Sequence, residues 1–294
     1  MNPPTTAPPT KRAWLSRRRL LFGAGFVGVT GAIGAAYTRL VEPGWLEVTH
    51  RTVQLGPKEA DPIRVLHISD LHASGYVSLE FIAKAIQLGL AAKPRLICLT
   101  GDFITGHFPR MADYAEVLGV LSKAAPTFAC LGNHDGGVYS GRPERFRAPN
   151  HAEVRQLLER SGVMCLQNEP ADFVVGNRRL RLVGVGDLWS RELRAEEAFA
   201  RVPPDSATLL LMHNPDGKDA VADFNWHLAL CGHTHGGQLR LPWLGTPFAP
   251  VRDHRYVAGL NRWRDRWIFT TRGVGNLHGV RFNCRPEVSL LTLT

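Results

Sequence analysis

Five short clusters of metal-ligating residue types punctuate this chain: Asp70-Leu71-His72, Gly101-Asp102, Gly132-Asn133-His134-Asp135, Met212-His213-Asn214 and Cys231-Gly232-His233-Thr234-His235. A D-x-H triplet or a Gly-Asp pair is weak by itself, because loops after strands are rich in Asp for turn chemistry. The H-x-H pair is more specific, since side chains at i and i+2 of an extended segment point the same way. Together the clusters supply carboxylates, imidazoles and an amide but no thiolate, a set that suits Mn, Fe or Zn. Two divalent ions roughly 3.5–4 Å apart need one bridging ligand and a position left open for water. Asp102 is the natural bridge.

These residues must be positioned by strand ends. From Arg64 onward a short apolar run, a polar loop and an amphipathic stretch alternate, the pattern of βαβ units. Strands are predicted at Arg64–Ile68, Leu96–Thr100, Thr127–Leu131, Phe173–Val175, Leu180–Val185, Thr208–Met212, His227–Cys231, Gln238–Leu241, Trp267–Thr271 and Val288–Leu293. Helices are predicted at Leu79–Ala92, Met111–Ala124 and Ala152–Arg160, the first stopped by Pro94. Every polar cluster then falls at the carboxyl end of a strand, where open α/β sheets bind ligands.

The bulk numbers agree with one large α/β domain of 294 residues, 44% hydrophobic and 21% charged. The formal net charge is +9, but Lys11, Arg12, Arg17, Arg18, Arg19 and Arg39 all precede the first acidic residue, Glu42, which leaves +3 for the body. That argues against a nucleic-acid partner. The five cysteines are widely spaced, without a C-x-x-C pair, and read as buried apolar residues.

The N-terminus reads as an address. Ser16-Arg17-Arg18-Arg19-Leu20-Leu21 leads into an apolar, glycine-punctuated stretch from Leu20 to Tyr37, the layout of a twin-arginine export signal, with the translocase as partner. Two readings of this stretch stand. Gly34-Ala35-Ala36 offers small residues for cleavage, and about 18 apolar residues are also enough to anchor the chain in a membrane. Residues 1–40 are therefore set apart from a body of residues 41–294, expected in the periplasm or cell envelope.

The order D-x-H, G-D, G-N-H-D, His, G-H-x-H resembles the calcineurin-like metallophosphoesterases. Glu42-Pro43-Gly44-Trp45, Arg272-Gly273-Val274-Gly275 and Arg281 to Glu287 extend the likeness to bacterial phosphodiesterases of that family, which also begin with twin-arginine-like segments. The resemblance implies a four-layer α/β/β/α sandwich. It implies one metal on Asp70, His72, Asp102 and His235, and a second on Asp102, Asn133, His213 and His233. His134 becomes the residue that binds the phosphate or protonates the leaving group. Thr105 stands where purple acid phosphatases carry a Tyr, which speaks against a ferric site.

The activity so implied is phosphodiester hydrolysis by in-line attack of a metal-bound hydroxide. Rivals are a pyrophosphatase on a lipid precursor of the UDP-diacylglucosamine type, a phosphomonoesterase, and a non-catalytic metal-binding scaffold. Leu241 to Pro250, with Trp243, Leu244 and Phe248, points to core packing by default and to a lipid-linked substrate or membrane contact if exposed. Asp135 is expected to orient its loop, and His67, His227 and His254 to be structural. Arg142, Arg145, Arg147, Arg272 and His278 are solvated positions by default and anion-steering candidates otherwise.

Overall fold

The computed structural model describes residues 31–55, 61–139, 141, 150–176 and 178–294. Arg17, Arg18 and Arg19, the apolar stretch as far as residue 30, and Arg142, Arg145 and Arg147 lie outside the described residues. Residues from Thr38 to Thr294 form one compact unit. No helix among the described residues is long and apolar enough to cross a membrane.

Sequence patterning builds the unit from β1 (Glu47–Val53), β2 (Ile63–Ile68), α1 (Leu79–Leu90), β3 (Leu96–Thr100), α2 (Met111–Ala124), β4 (Thr127–Cys130), α3 (Ala152–Arg160) and β5 (Met164–Cys165). There follow β6 (Glu169–Val175), β7 (Arg178–Gly184), α4 (Ala195–Phe199), β8 (Thr208–Leu211), β9 (Leu228–Cys231), β10 (Gly259–Trp263), β11 (Arg266–Thr270) and β12 (Glu287–Leu293). One sheet has the order β1-β12-β2-β3-β4-β5 and the other β10-β11-β9-β8-β7-β6. β3, β4 and β8 are buried along their whole length, as strands covered on both faces must be.

Period-two alternation decides the layers. Leu66, Ile68, Ile97 and Leu99 face the helices and pack with Ile82, Ile86, Leu118 and Leu157. Their neighbours Val65, Leu96 and Cys98 face the other way and meet Leu182, Leu209, Leu211, Leu228 and Leu230 of the second sheet. The second sheet's outer face packs Leu210 and Ala229 against Ala198, Phe199 and Trp226. The result is the expected α/β/β/α sandwich, with an apolar core between the sheets. Gly89 of α1 lies against the Leu66 side chain, so the helix sits low on β2.

Four elements were not expected from the sequence: β1, β5, β10 and α4. β1 and β10 carry little alternation because they are edge strands, half-buried or exposed except at Val53 and Trp263. Gln238–Leu241, expected as a strand, is not one; only single bridges join Leu239 to Phe282 and Leu241 to Gly245. The reason is local, since Gln238 has a φ of 57° and Pro242 follows the segment. The sheets are also mixed, β12 running antiparallel to β2.

The loops after β3 and β4 touch at glycines. Gly101 has a φ of +77°, and a Cβ there would sit 2.7 Å from Gly132 Cα and 2.8 Å from the Leu131 carbonyl carbon. Backbone cannot yield as a flexible side-chain tip would. Gly101→Ala is expected to cost about 3 kcal/mol or more, read as a lowered urea midpoint at unchanged m value; a loss below about 1 kcal/mol would contradict this close approach.

Candidate metal centre

β2, β3 and β4 deliver Asp70, His72, Asp102 and Asn133 from the first sheet, while β8 and β9 deliver His213, His233 and His235 from the second. Asp70, His72, Asp102, His233 and His235 all have positive φ, between 47° and 68°. Each such residue costs roughly 1–2 kcal/mol relative to the ordinary right-handed conformation. Cross-loop hydrogen bonds hold them there: Asp70 N–H to Gly101 O at 3.0 Å, His72 N–H to Asp102 O at 2.9 Å, and Gly275 N–H to Asp70 O at 2.6 Å. A side chain at Gly232 would fall on Ser69 and Asp70, so glycine lets β9 approach β2.

The side chains form two buried triads, Asp70–His72–His235 and Asp102–His213–His233. In the first, His235 Nε2 is 3.5 Å from Asp70 Oδ1 and 2.9 Å from His72 Nε2. In the second, His213 Nε2 is 3.2 Å from Asp102 Oδ2 and 3.2 Å from His233 Nδ1. Asp102 Oδ2 also lies 3.5 Å from His72 Nε2, so this one oxygen faces both triads. Asn133 joins the second triad with Oδ1 2.9 Å from His233 Nδ1, its amide held by donation to Val138 O.

This donor set fits divalent cations. His213 Nδ1 donates to Thr100 O at 2.6 Å, which turns Nε2 toward the Asp102 carboxylate. His72 and His235 bring two ring nitrogens to 2.9 Å, and at most one can carry a proton between them. His233 Nε2 and His235 Nδ1 are buried without a partner. Acceptors facing acceptors are costly in a dry site, and a cation between them removes the conflict.

Electrostatics favour the neutral, ligating form of three of the histidines. Burial pushes His72 down to about 3 and holds His233 and His235 well below the ordinary imidazole value. Their rings are thus neutral at neutral pH, each with one nitrogen free of a proton and able to ligate. Burial alone would also lower His213, but the adjacent Asp102 carboxylate overrides it and raises His213 well above 6.5. Burial raises Asp70 to about 7, the mark of a carboxylate short of positive charge. Asp102 goes the other way, held well below the usual carboxylate range because His213, His134 and His72 outweigh its burial.

A second tier of residues aims these ligands. Asp135 accepts backbone N–H groups from Asp102, Phe103 and Gly132 at 2.7–2.9 Å, which ties the β3 and β4 loops together as the sequence implied. Burial, then the Asp102 charge, pushes Asp135 up to about 7. Thr105 Oγ1 sits 2.6 Å from His72 Nδ1, a contact that could be suspected only from its place three residues after Asp102. Arg281 is fully buried and donates to the carbonyls of Arg272, Gly273, Gly275 and Cys284, moulding the loop that backs Asp70. Arg272 is not available for anion steering, since it pairs with Glu47 and Glu287, each at 2.9 Å. His67 is structural, 2.8 Å from Thr100 Oγ1 in the intersheet core, and His227 Nδ1 accepts the Thr208 N–H. His254 is exposed, beside Thr246 Oγ1.

Above the triads opens a cleft of about 370 Å³. Asp102, Asn133, His134, His233 and His235 form its polar floor, and Tyr139, Trp189, Leu239, Phe248, Leu277 and Val280 its apolar walls. Trp189 meets His233 edge-on at 4.3 Å, and His134 is wedged between His72 and Tyr139, each ring 4.8 Å away. The His134 N–H donates to Asp102 Oδ1 at 2.9 Å. His278 lies on the rim. Trp189 and Tyr139 carry no motif and were missed in the sequence.

Comparison with known proteins agrees with this geometry. The chain is 43% identical over 280 residues to phosphodiesterase YaeI of Escherichia coli, covering 95% of this chain and 99% of that protein. It is 30% identical to YkuE of Bacillus subtilis, described as an uncharacterized metallophosphoesterase, over 95% and 98% of the two chains. It is 24% identical to the UDP-2,3-diacylglucosamine pyrophosphatase LpxG of Chlamydia muridarum, over 85% and 90%. The profile of the calcineurin-like phosphoesterases matches residues 63–237, a span that contains every residue of both triads, and the chain belongs to that family.

Proposed function

We propose that this protein is a metal-dependent phosphodiesterase, with Asp70, His72, Asp102 and His235 holding one divalent ion and Asp102, Asn133, His213 and His233 the other. The observation that carries this reading is the single Asp102 oxygen facing both triads, 3.2 Å from His213 and 3.5 Å from His72. Mn, Fe or Zn suits the oxygen and nitrogen donors. When bound, such a pair supplies a water acidified to near-neutral pKa and neutralises charge on the phosphoryl oxygens.

The chain's own residues do the positioning. The polar floor seats the phosphate, and the apolar walls exclude water from it. His134 has its pKa lowered by burial, so at neutral pH it serves as a neutral N–H donor toward a phosphoryl oxygen. Asp135 and Arg281 keep the floor rigid. A lipid-linked pyrophosphate is the second reading, favoured by the apolar wall of Leu239, Phe248, Leu277 and Val280 beside the triads. Export by the twin-arginine route, with residues 20–37 cleaved or kept as an anchor, places the enzyme in the cell envelope.

Turnover of bis-p-nitrophenyl phosphate, after chelation and single additions of Mn, Fe and Zn, should exceed that of p-nitrophenyl phosphate; preference for the monoester would refute diesterase chemistry. Asp102→Ala is expected to abolish turnover and lose metal by elemental analysis. His134→Ala should keep both metals and slow turnover by roughly 10²-fold. That factor should be the same for good and poor leaving groups; a defect growing with leaving-group pKa would make His134 a proton donor to the leaving oxygen instead. Chelation should lower the melting temperature, with metal at a hundredfold excess over Kd restoring about 2.7 kcal/mol; an unchanged melting curve would sink the assigned ligand set.

A further inference from the structure

Large exposed apolar residues gather on one side of the protein. Pro242, Trp243 and Leu244 form the tip of a tight turn closed by hydrogen bonds between Leu241 and Gly245, and Trp243 and Leu244 are 103% and 73% exposed. Phe248, on the same loop, is 68% exposed and lines the cleft. Leu40, Val41 and Trp45 are also exposed, in the segment through which the chain joins the body.

Both segments are fastened to one loop, His278–Arg285. Arg240 N–H donates to Phe282 O at 2.8 Å, and Phe282 N–H to Gln238 O at 3.0 Å. From the other side, Arg281 N–H donates to Thr38 O at 3.0 Å, Arg39 to His278 O at 3.2 Å, and Cys284 N–H to the buried Glu42 carboxylate. The aromatic tip and the joining segment thus flank the loop whose Leu277–Val280 end walls the cleft.

Exposed charge within these segments has one sign. Between Thr38–Trp45, Leu239–Arg252 and His278–Arg285 the only carboxylate is Glu42, which is buried. Arg39, Arg240 and Arg252 are exposed, and Arg285 lies over the Trp45 ring at 3.5 Å. Amphipathic aromatics ringed by arginines match the headgroup region of a bilayer, where rings insert shallowly and cations meet anionic lipid. Immediately upstream of Thr38 the sequence holds the apolar stretch Leu20 to Tyr37.

We propose that this side is a docking surface for an anionic bilayer, with Trp243, Leu244 and Phe248 dipping into the headgroups and the cleft opening toward the lipid. The proposal concerns binding and stands apart from the reaction assigned above. A second copy of the chain would suit an apolar face but not segments whose exposed charges are Arg39, Arg240 and Arg252, because a self-contact would set arginines against arginines.

Hydrogen exchange on the full chain tests this, with vesicles of phosphatidylcholine alone and of phosphatidylcholine with phosphatidylglycerol. On the anionic vesicles, peptides spanning 239–250 should exchange about tenfold more slowly than in solution. The double variant Trp243→Ser, Leu244→Ser should lose that protection and keep turnover of the soluble diester. Protein bound to vesicles through its N-terminus, with 239–250 exchanging as in solution, would overturn the proposal. Equal protection on neutral vesicles would overturn its anionic term, and protection that grows with protein concentration without vesicles would assign the face to a second copy. Loss of turnover in the soluble assay would bear on the phosphodiesterase reading and not on this one.

Discussion

A single buried carboxylate, Asp102, is the constraint around which this structure is arranged. Taking an ionised carboxylate out of water costs several kcal/mol unless positive charge or hydrogen bonds replace the lost hydration. Here His213, His134 and His72 surround it, and its other oxygen takes the His134 N–H. Three imidazoles and a buried Asp70 crowd the same space with lone pairs. An oxygen and nitrogen lining of this kind suits cations, so the shape of the site and the metal pair proposed for it rest on the same residues.

The cost of building it is met by the sandwich. Five ligand-bearing residues adopt left-handed backbone conformations, and loops after β2, β3 and β9 hydrogen-bond to one another to keep them there. Such strain persists only where surrounding structure over-determines it. The intersheet core supplies that rigidity, and Asp135 and Arg281 spend their charges on backbone groups, one accepting N–H donors and the other filling carbonyls. Neither is a ligand, yet both set where ligands point.

Function and surface meet in the cleft. Its polar floor carries residues of both triads, while Phe248 on its wall belongs to the same loop as the exposed turn around Trp243. Leu241 to Pro250, which by default would be core, is instead exposed for most of its length. No strand forms there, since Gln238 is left-handed and Pro242 follows.

By itself the sequence located the residues that form the two triads, the strands before them and the family. Those signals are local: an apolar run ending in Asp or His needs only a window of ten residues, and Leu96–Thr100, Met111–Ala124 and Ala152–Arg160 were legible with their bounds. The edge strands β1 and β10 were not, because an edge is defined by what lies beside it rather than by alternation. Tertiary structure decided what depends on packing two sheets: that one Asp102 oxygen faces both triads, that Thr105 and Thr100 aim His72 and His213, that Trp189 walls the cleft, and that Arg272 is engaged by carboxylates. Most of these contacts join residues thirty or more positions apart, and their distances follow from sheet order and strand register, which local patterning does not encode.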